Sequence, residues 1–186
     1  MKWIFVGLGN PGSTYAHTRH NVGFWALDHI REHGAFDTPR TKETMAIATG
    51  TYAHHPVVLC WPLKFMNESG PAILPLVKKY PKAQWLVFHD EMDLPCGKVL
   101  LRHGGSARGH NGVKSMNTVL GIEYDRLRIG VDRPAEKTDV NRHVLGTFAP
   151  QDKLRVEQAI EKCVAALPFL LDKQRDLFEK ALRDRP

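Results

Sequence analysis

Cysteine is scarce and unpatterned: the 186 residues hold Cys60, Cys96 and Cys163, an odd number, widely spaced and without a CxxC pair. Neither a disulfide framework nor a zinc ribbon is encoded, and a reducing cytoplasm is the expected setting. Long apolar runs are missing too. No stretch approaches the roughly 18 residues of a membrane span, so no membrane partner is expected. Lys2 and the run from Trp3 to Val6 imitate the start of a secretory signal, but Gly7-Leu8-Gly9-Asn10-Pro11-Gly12 cuts the apolar segment far short of one. Repeats, Gly/Ser linkers and blocks of like charge are also absent, so one domain covering residues 1–186 is expected.

Several chemistry-bearing motifs fail on inspection. Gly7, Gly9 and Gly12 match GxGxxG after a strand, but no helix opens through the third glycine. The second strand ends in Thr49-Gly50-Thr51, without the acidic residue that holds a nicotinamide dinucleotide's ribose. The segment GGSARGHNGVKS (104–115) lacks the Walker spacing, and Ser106 has Arg108 two positions on, so it is no nucleophile elbow. Ten histidines are many, yet none falls in HExxH or beside a cysteine. Neither a metal nor a cofactor is expected.

What is present is an average globular composition, 42% hydrophobic and 25% charged, with 26 Lys plus Arg against 20 Asp plus Glu. Short β-branched or aromatic runs at 2–7, 45–51, 57–61, 84–89, 98–102 and 126–131 read as strands. Helical patterns occupy 21–33, 69–80, 110–120, 151–166 and 169–183. Several strands are wholly apolar, which predicts an α/β fold with a mixed, twisted sheet covered by helices on both faces. Val156, Ile160, Cys163, Val164 and Leu167 form a core-facing stripe, and Leu177, Phe178 and Leu182 an amphipathic C-terminal helix. In such sheets ligands gather at strand carboxyl ends, where Asn10, Met66, Asn67 and Asp90 are expected in loops.

Between Asp93 and Glu123 there is no acidic residue, while Lys98, Arg102, Arg108 and Lys114 are present. Glycines 104, 105, 109 and 112 would let backbone N–H groups face a phosphate ahead of a helix beginning near His110 or Asn111. Arg126 and Arg128 are expected to extend this field toward a nucleic-acid backbone. The second concentration is of amides and histidines at strand ends: Asn10, His20, Asn21, Asn67, Asp90, His110 and Asn111. Asparagines can hold a peptide backbone or donate to an oxyanion, although Asn67 beside Ser69-Gly70 also suits a helix cap. A histidine oriented by an aspartate can act as general base. With no credible Ser, Cys or metal nucleophile, attack of water on an activated carbonyl is the economical reaction.

Four segments carry a resemblance: VGLGNPGSTYAHTRHNVGF (6–24), PLKFMNESG (62–70), HDEMDLPCGKVLLRHGGSARGHNGVKS (89–115) and RLRIGV (126–131). In order and spacing they are similar to the bacterial peptidyl-tRNA hydrolases. The resemblance implies a phosphorylase/hydrolase-like sheet and cytoplasmic, monomeric, metal-free cleavage of the ester between a peptide and the terminal ribose of tRNA. That activity recycles tRNA from aborted translation, with peptidyl-tRNA as partner. It implies His20 as the base that activates water, Asp90 as its orienting carboxylate and Asn10 as a third catalytic-centre residue. Tyr15, Met66, Asn67, His110 and Asn111 would bind substrate. Arg102 and Arg128 would clamp a tRNA phosphate, with Arg108 and Lys114 as further candidates.

Relatives of the same fold in plant organelles serve as splicing factors, so RNA binding without catalysis is the competing function. The full set of candidate catalytic residues and the lack of a transit-like leading segment favour the enzyme. A peptidase on a similar fold would leave the basic face unexplained. Arg108 and Lys64 depart from the family pattern, where small residues and Thr or Ser are usual. Replacing Arg108 with glycine is expected to weaken RNA binding and flatten its salt dependence without abolishing activity; unchanged affinity and slope would remove Arg108 from the phosphate contacts.

Overall fold

Strand β1 (Trp3–Gly7) is apolar on both faces: Trp3 and Phe5 enter one core cluster, Ile4 and Val6 the other. A strand of this kind must lie inside a sheet covered on both sides. The computed structural model describes residues 1–136 and 139–184 and shows such a sheet. The remaining strands are β2 (Ala35–Phe36), β3 (Arg40–Lys42), β4 (Met45–Tyr52), β5 (His55–Pro62), β6 (Gln84–Glu91), β7 (Val99–His103) and β8 (Asp125–Gly130). Their order is β2-β4-β5-β1-β6-β8-β7, with β3 also paired to β4. The central strands β5, β1, β6 and β8 run parallel, while β2, β3, β4 and β7 add antiparallel edges.

The helices are α1 (Val22–His33), α2 (Ser69–Lys79), α3 (Asn111–Leu120), α4 (Val140–Val144), α5 (Pro150–Leu171) and α6 (Arg175–Arg183). Helices α1, α5 and α6 cover one face, through Ala26, Leu27 and Ile30, through Val156, Ile160, Cys163, Val164 and Leu167, and through Phe178. On the other face lie α2 and α3, through Ile73, Leu76, Val113 and Met116. Two close backbone approaches fix α1 against the sheet. A Cβ on Gly7 would lie 2.3 Å from the Gly23 carbonyl oxygen, and one on Gly23 would lie 2.4 Å from the Phe88 carbonyl oxygen. The short helical turn Arg19–Asn21, which leads into α1, is thereby held beside β6.

The six expected strands and the helical segments are present, with four differences. The short β2 and β3 and the five-residue α4 carry too few residues for a periodic signal. Asp90 lies inside β6 and not in the loop after it, because the polar His89-Asp90-Glu91 continues the ladder with β8. Leu177 is exposed, and Phe178 alone of that helix is fully buried. The break between the C-terminal helices falls at 172–174, where Lys173 adopts φ +62°, and not beside Pro168.

Pro168 sits within α5 because its cost is met locally. Proline cannot donate to the carbonyl four residues earlier, and here that carbonyl, of Val164, accepts a 2.8 Å hydrogen bond from the buried Tyr52 hydroxyl of β4. Tyr52→Phe is expected to cost about 1–3 kcal/mol, the penalty of an unpaired buried acceptor. In a Pro168→Ala background the restored N–H should shrink that cost. Denaturant unfolding of the four proteins in a double-mutant cycle checks this, and equal costs in both backgrounds would refute the link.

Candidate active site

Asp90, near the carboxyl end of β6, is a carboxylate with 2% exposure, and a buried carboxylate must be paired. Two imidazoles meet it. His20 Nδ1 lies 2.9 Å from both carboxylate oxygens, and His110 Nε2 lies 2.7 Å from Oδ1. His110 is also the N-cap of α3, where its Nδ1 accepts hydrogen bonds from the N–H groups of Gly112 and Val113 at 3.1 and 3.2 Å. A nitrogen that accepts carries no proton, so the His110 proton is on Nε2 and is donated to Asp90. Both ring nitrogens of His110 are spent. His20 differs: its Nδ1–H donates to Asp90, and among the described residues no hydrogen bond engages its Nε2.

The electrostatics follow from these contacts. Burial raises the Asp90 pKa, but His20 and His110 together hold the carboxyl well below its ordinary 3.8. For His20, burial works to lower the pKa, while the charge and hydrogen bond of Asp90 raise it, and the net value stands above 6.5. His89 is 1% exposed and its Nδ1–H donates to the Asp90 carbonyl at 2.7 Å. Burial and the neighbouring His110 push its pKa well below 6.5, so it is a neutral ring packed edge-on at 5.0 Å from His110.

The amides form the adjoining wall. Asn10 N–H donates to Asn21 Oδ1 and Asn21 Nδ2 returns to the Asn10 carbonyl, both at 2.9 Å. This reciprocal clamp joins the end of β1 to the turn that carries His20. Asn10 Oδ1 then accepts from Met66 N at 2.8 Å. The side-chain NH₂ of Asn10 is the part left unengaged by these contacts. Met66 is buried against α3, where a Cβ on Gly112 would strike its sulfur at 2.4 Å. Asn67 is exposed on the same turn, Met66–Glu68, and does not cap α2, whose N-cap is Glu68. Tyr15 packs edge-on against the exposed Phe65.

A small cavity of about 40 Å³ is lined by His20, Asp90, Arg108, His110 and Asn111, with Val140, Asn141 and Val144 of α4 opposite. Arg108, in the left-handed region at φ +48°, pairs with Asp93 at 3.6 Å. Lys114 and Lys64 are exposed and line neither this cavity nor the one beside Arg102. Arg102 and Arg128 line a separate cavity of about 230 Å³, and Arg128 Nε is bound to Glu91 at 2.9 Å.

Two expectations about the basic segment are corrected. The N–H groups of Gly112 and Val113 are occupied by His110 and do not face a phosphate. Arg126 is 3% exposed and donates to the carbonyls of Gly104 and Ser106, so it ties down the glycine loop from beneath and does not extend a surface patch. The packing of α4 over the cavity went unread, because residues 139–148 carry no motif. Spacing also concealed that His20 Nδ1, His110 Nε2 and the Asp90 carboxylate lie within 4.8 Å of one another, a donor set that suits a transition metal as well as a proton.

Comparison with known proteins agrees with this geometry. A family model described as peptidyl-tRNA hydrolase matches residues 4–184. The chain belongs to the peptidyl-tRNA hydrolase family. It is 39% identical to the peptidyl-tRNA hydrolase of Acidithiobacillus ferrooxidans over 98% of both chains. To that of Bacillus subtilis it is 40% identical, over 91% of this chain and 92% of the other. The crystal structure of peptidyl-tRNA hydrolase from Acinetobacter baumannii superposes with a TM-score of 0.92 at 33% identity, covering 97% of this chain and 93% of that one. A nucleosidase of Campylobacter jejuni shares the fold alone, at a TM-score of 0.56 and 10% identity.

The pairing with Asp90 governs how His20 titrates. By histidine NMR, His20 is expected to titrate above 6.5 and His89 to stay neutral until well below it. In Asp90→Asn the raising charge is gone while burial remains, so the His20 midpoint should drop below 6.5. A midpoint that did not move would mean that Asp90 does not govern His20.

Proposed function

We propose that this chain hydrolyses the ester joining a peptide to the terminal ribose of tRNA, with His20 as general base. The observation that carries the role of His20 is the asymmetry of the two imidazoles on Asp90. His110 has both nitrogens engaged within the chain, whereas His20 has its Nδ1 proton held by Asp90 and its Nε2 unengaged among the described residues. Family membership supports the substrate and the bond, and the geometry supports the division of labour.

In the reaction, His20 Nε2 takes a proton from a water as the water oxygen attacks the ester carbonyl carbon. Asp90 stabilises the imidazolium that results. The carbonyl oxygen becomes an oxyanion, for which the amide NH₂ groups of Asn10 and Asn67 are the donors at hand. Collapse of the tetrahedral intermediate breaks the bond to the ribose oxygen, which takes the proton back from His20. Free peptide acid and tRNA leave, and the histidine is neutral again. Met66, Tyr15, His110 and Asn111 shape the peptide side. Arg102 and Arg128 contact a phosphate, Arg128 while its Nε donates to Glu91. The same reading has the enzyme work in the cytoplasm as a monomer, without a metal. No helix among the described residues is long and apolar enough to cross a membrane.

Release of tRNA from an N-blocked aminoacyl-tRNA tests this. His20→Ala is expected to lose on the order of 10²-fold or more in kcat, with RNA binding kept and EDTA without effect. Because only neutral His20 can accept the proton, the acid limb of the kcat/KM profile should lie above pH 6.5, in line with the raised pKa, and move down in Asp90→Asn. Tight RNA binding with no wild-type turnover would place the chain among RNA-binding proteins instead. Loss of activity in EDTA would make the His20–Asp90–His110 cluster a metal centre.

A further inference from the structure

The turn that carries His20 is held from two sides. On one side is the Asn10–Asn21 clamp at the end of β1. On the other is the segment that follows α4, where Thr18 forms an isolated antiparallel bridge with Thr147 and the backbone N–H of Arg19 donates to the Gly146 carbonyl at 3.0 Å. The Arg19 side chain then reaches back to α4 itself. Its Nη1 donates to the His143 carbonyl at 3.1 Å, and the guanidinium lies over the Phe148 ring, 5.1 Å from the centroid. Among the described residues Arg19 has no carboxylate within 4.0 Å, so its charge is directed at a carbonyl and an aromatic face.

Anchoring α4 to the fold does not require this contact. His143 Nε2 already donates to the carbonyls of Val131 and Asp132 at 3.0 and 2.8 Å, which ties the helix to the end of β8. Phe148 packs against Trp25, with ring centroids 5.5 Å apart. What Arg19 adds is a direct link between the two walls of one cavity. Val140, Asn141 and Val144 of α4 line that cavity opposite His20. Arg19 is the residue before His20, and the carbonyl it holds belongs to the residue before Val144. Gly146 leaves room for the link, since a Cβ there would lie 3.0 Å from Arg19 Nη1 and 3.3 Å from the His143 carbonyl oxygen. In a cavity of about 40 Å³, a shift of about 1 Å in one wall changes where a reacting carbonyl can sit, and misplacement on that scale costs up to about 10²-fold in rate.

We propose that Arg19 is a positioning residue: by joining the His143 carbonyl to the His20 turn, it fixes the α4 wall relative to the general base and so sets the approach of the ester carbonyl to the attacking water. The inference rests on the function proposed above. It places the effect of Arg19 in the chemical step, with RNA binding and the proton affinity of His20 unaltered, because Asp90, which raises that affinity, is no partner of Arg19.

The test compares wild type, Arg19→Ala and Arg19→Lys in turnover of an N-blocked aminoacyl-tRNA, in binding of deacylated tRNA across salt concentrations, and in amide hydrogen exchange. Arg19→Ala is expected to lower kcat about 10- to 100-fold. Its tRNA affinity should stay within about twofold of wild type with the same salt slope, and the acid limb of its pH profile should not move. Arg19→Lys keeps the charge and a donor and should exceed Arg19→Ala about threefold or more; added guanidinium ion should partly restore Arg19→Ala and leave wild type unaffected. The amides of Leu145 and Gly146, bonded to the carbonyls of Asn141 and His143, should exchange faster in Arg19→Ala. A weaker tRNA affinity with a shallower slope would overturn the proposal and make Arg19 a phosphate contact. An unchanged kcat, an acid limb that moves, or no gain from either lysine or guanidinium would also overturn it. Absence of wild-type turnover would instead overturn the hydrolase reading, and exchange at Leu145 and Gly146 would still decide whether Arg19 holds α4. Should Arg19→Ala fail to fold, Gly146→Ala, whose methyl group crowds Arg19 Nη1, is expected to lower kcat about 3- to 10-fold with the acid limb unmoved, and an unchanged kcat there would overturn the proposal.

Discussion

The structure is organised around one buried charge. A carboxylate at 2% exposure is tolerable only where hydrogen-bonded donors replace water. Asp90 receives them from two histidines that are 70 and 20 residues distant in sequence. Much of the surrounding fold serves to deliver those two rings. The glycine contacts of β1 and α1 bring the His20 turn to β6, the Asn10–Asn21 clamp fixes its height, and α3 presents His110 at its first turn. Removing Asp90 would thus alter more than one hydrogen bond, since both imidazoles would lose their common acceptor.

The start of α3 is a second constraint. A helix N-terminus offers unpaired N–H groups with partial positive charge. In many proteins such an end binds an anion; here it is closed by a neutral imidazole that accepts two of those bonds. The helix thereby selects the His110 tautomer, and the tautomer in turn obliges Nε2 to donate to Asp90. A protonated His110 would set an N–H against two others. The buried neutral His89 behind it adds a ring without a charge. The centre thus has one buried carboxylate and, in His20, an imidazole whose Nε2 is unengaged among the described residues.

How much of this the sequence discloses depends on the kind of signal. Continuous apolar runs marked the central strands, since burial on both faces leaves almost no polar residue in β1 or β5. Short edge strands and α4 lie below the length at which periodicity can be recognised. Pro168 reads as a helix end because its cost in isolation is large, and only the fold supplies the Tyr52 hydroxyl that offsets it. The candidate residues His20, Asp90 and Asn10 stood out as polar groups at strand ends; the fold pairs His20 with Asp90 and clamps Asn10 to Asn21 beside His20. Arg126 misled, because a cation at the mouth of a strand and one beneath a loop are spelled alike; only three carbonyls turned inward distinguish them.

The placement of cations leaves the pairing at Asp90 undisturbed. A guanidinium placed beside Asp90 would compete with His20 for the carboxylate and reduce the pull that raises the histidine pKa. Arg108, which lines the His20 cavity, is turned toward Asp93, and Arg128 is tied to Glu91, so each carries a neutralising partner. Among the described residues, Lys98 and Arg183 lie away from that cavity, beside β7 and at the end of α6, without a carboxylate partner. The carboxylate of Asp90 can in this way raise the proton affinity of the His20 imidazole against the opposing effect of burial, with no guanidinium competing for it.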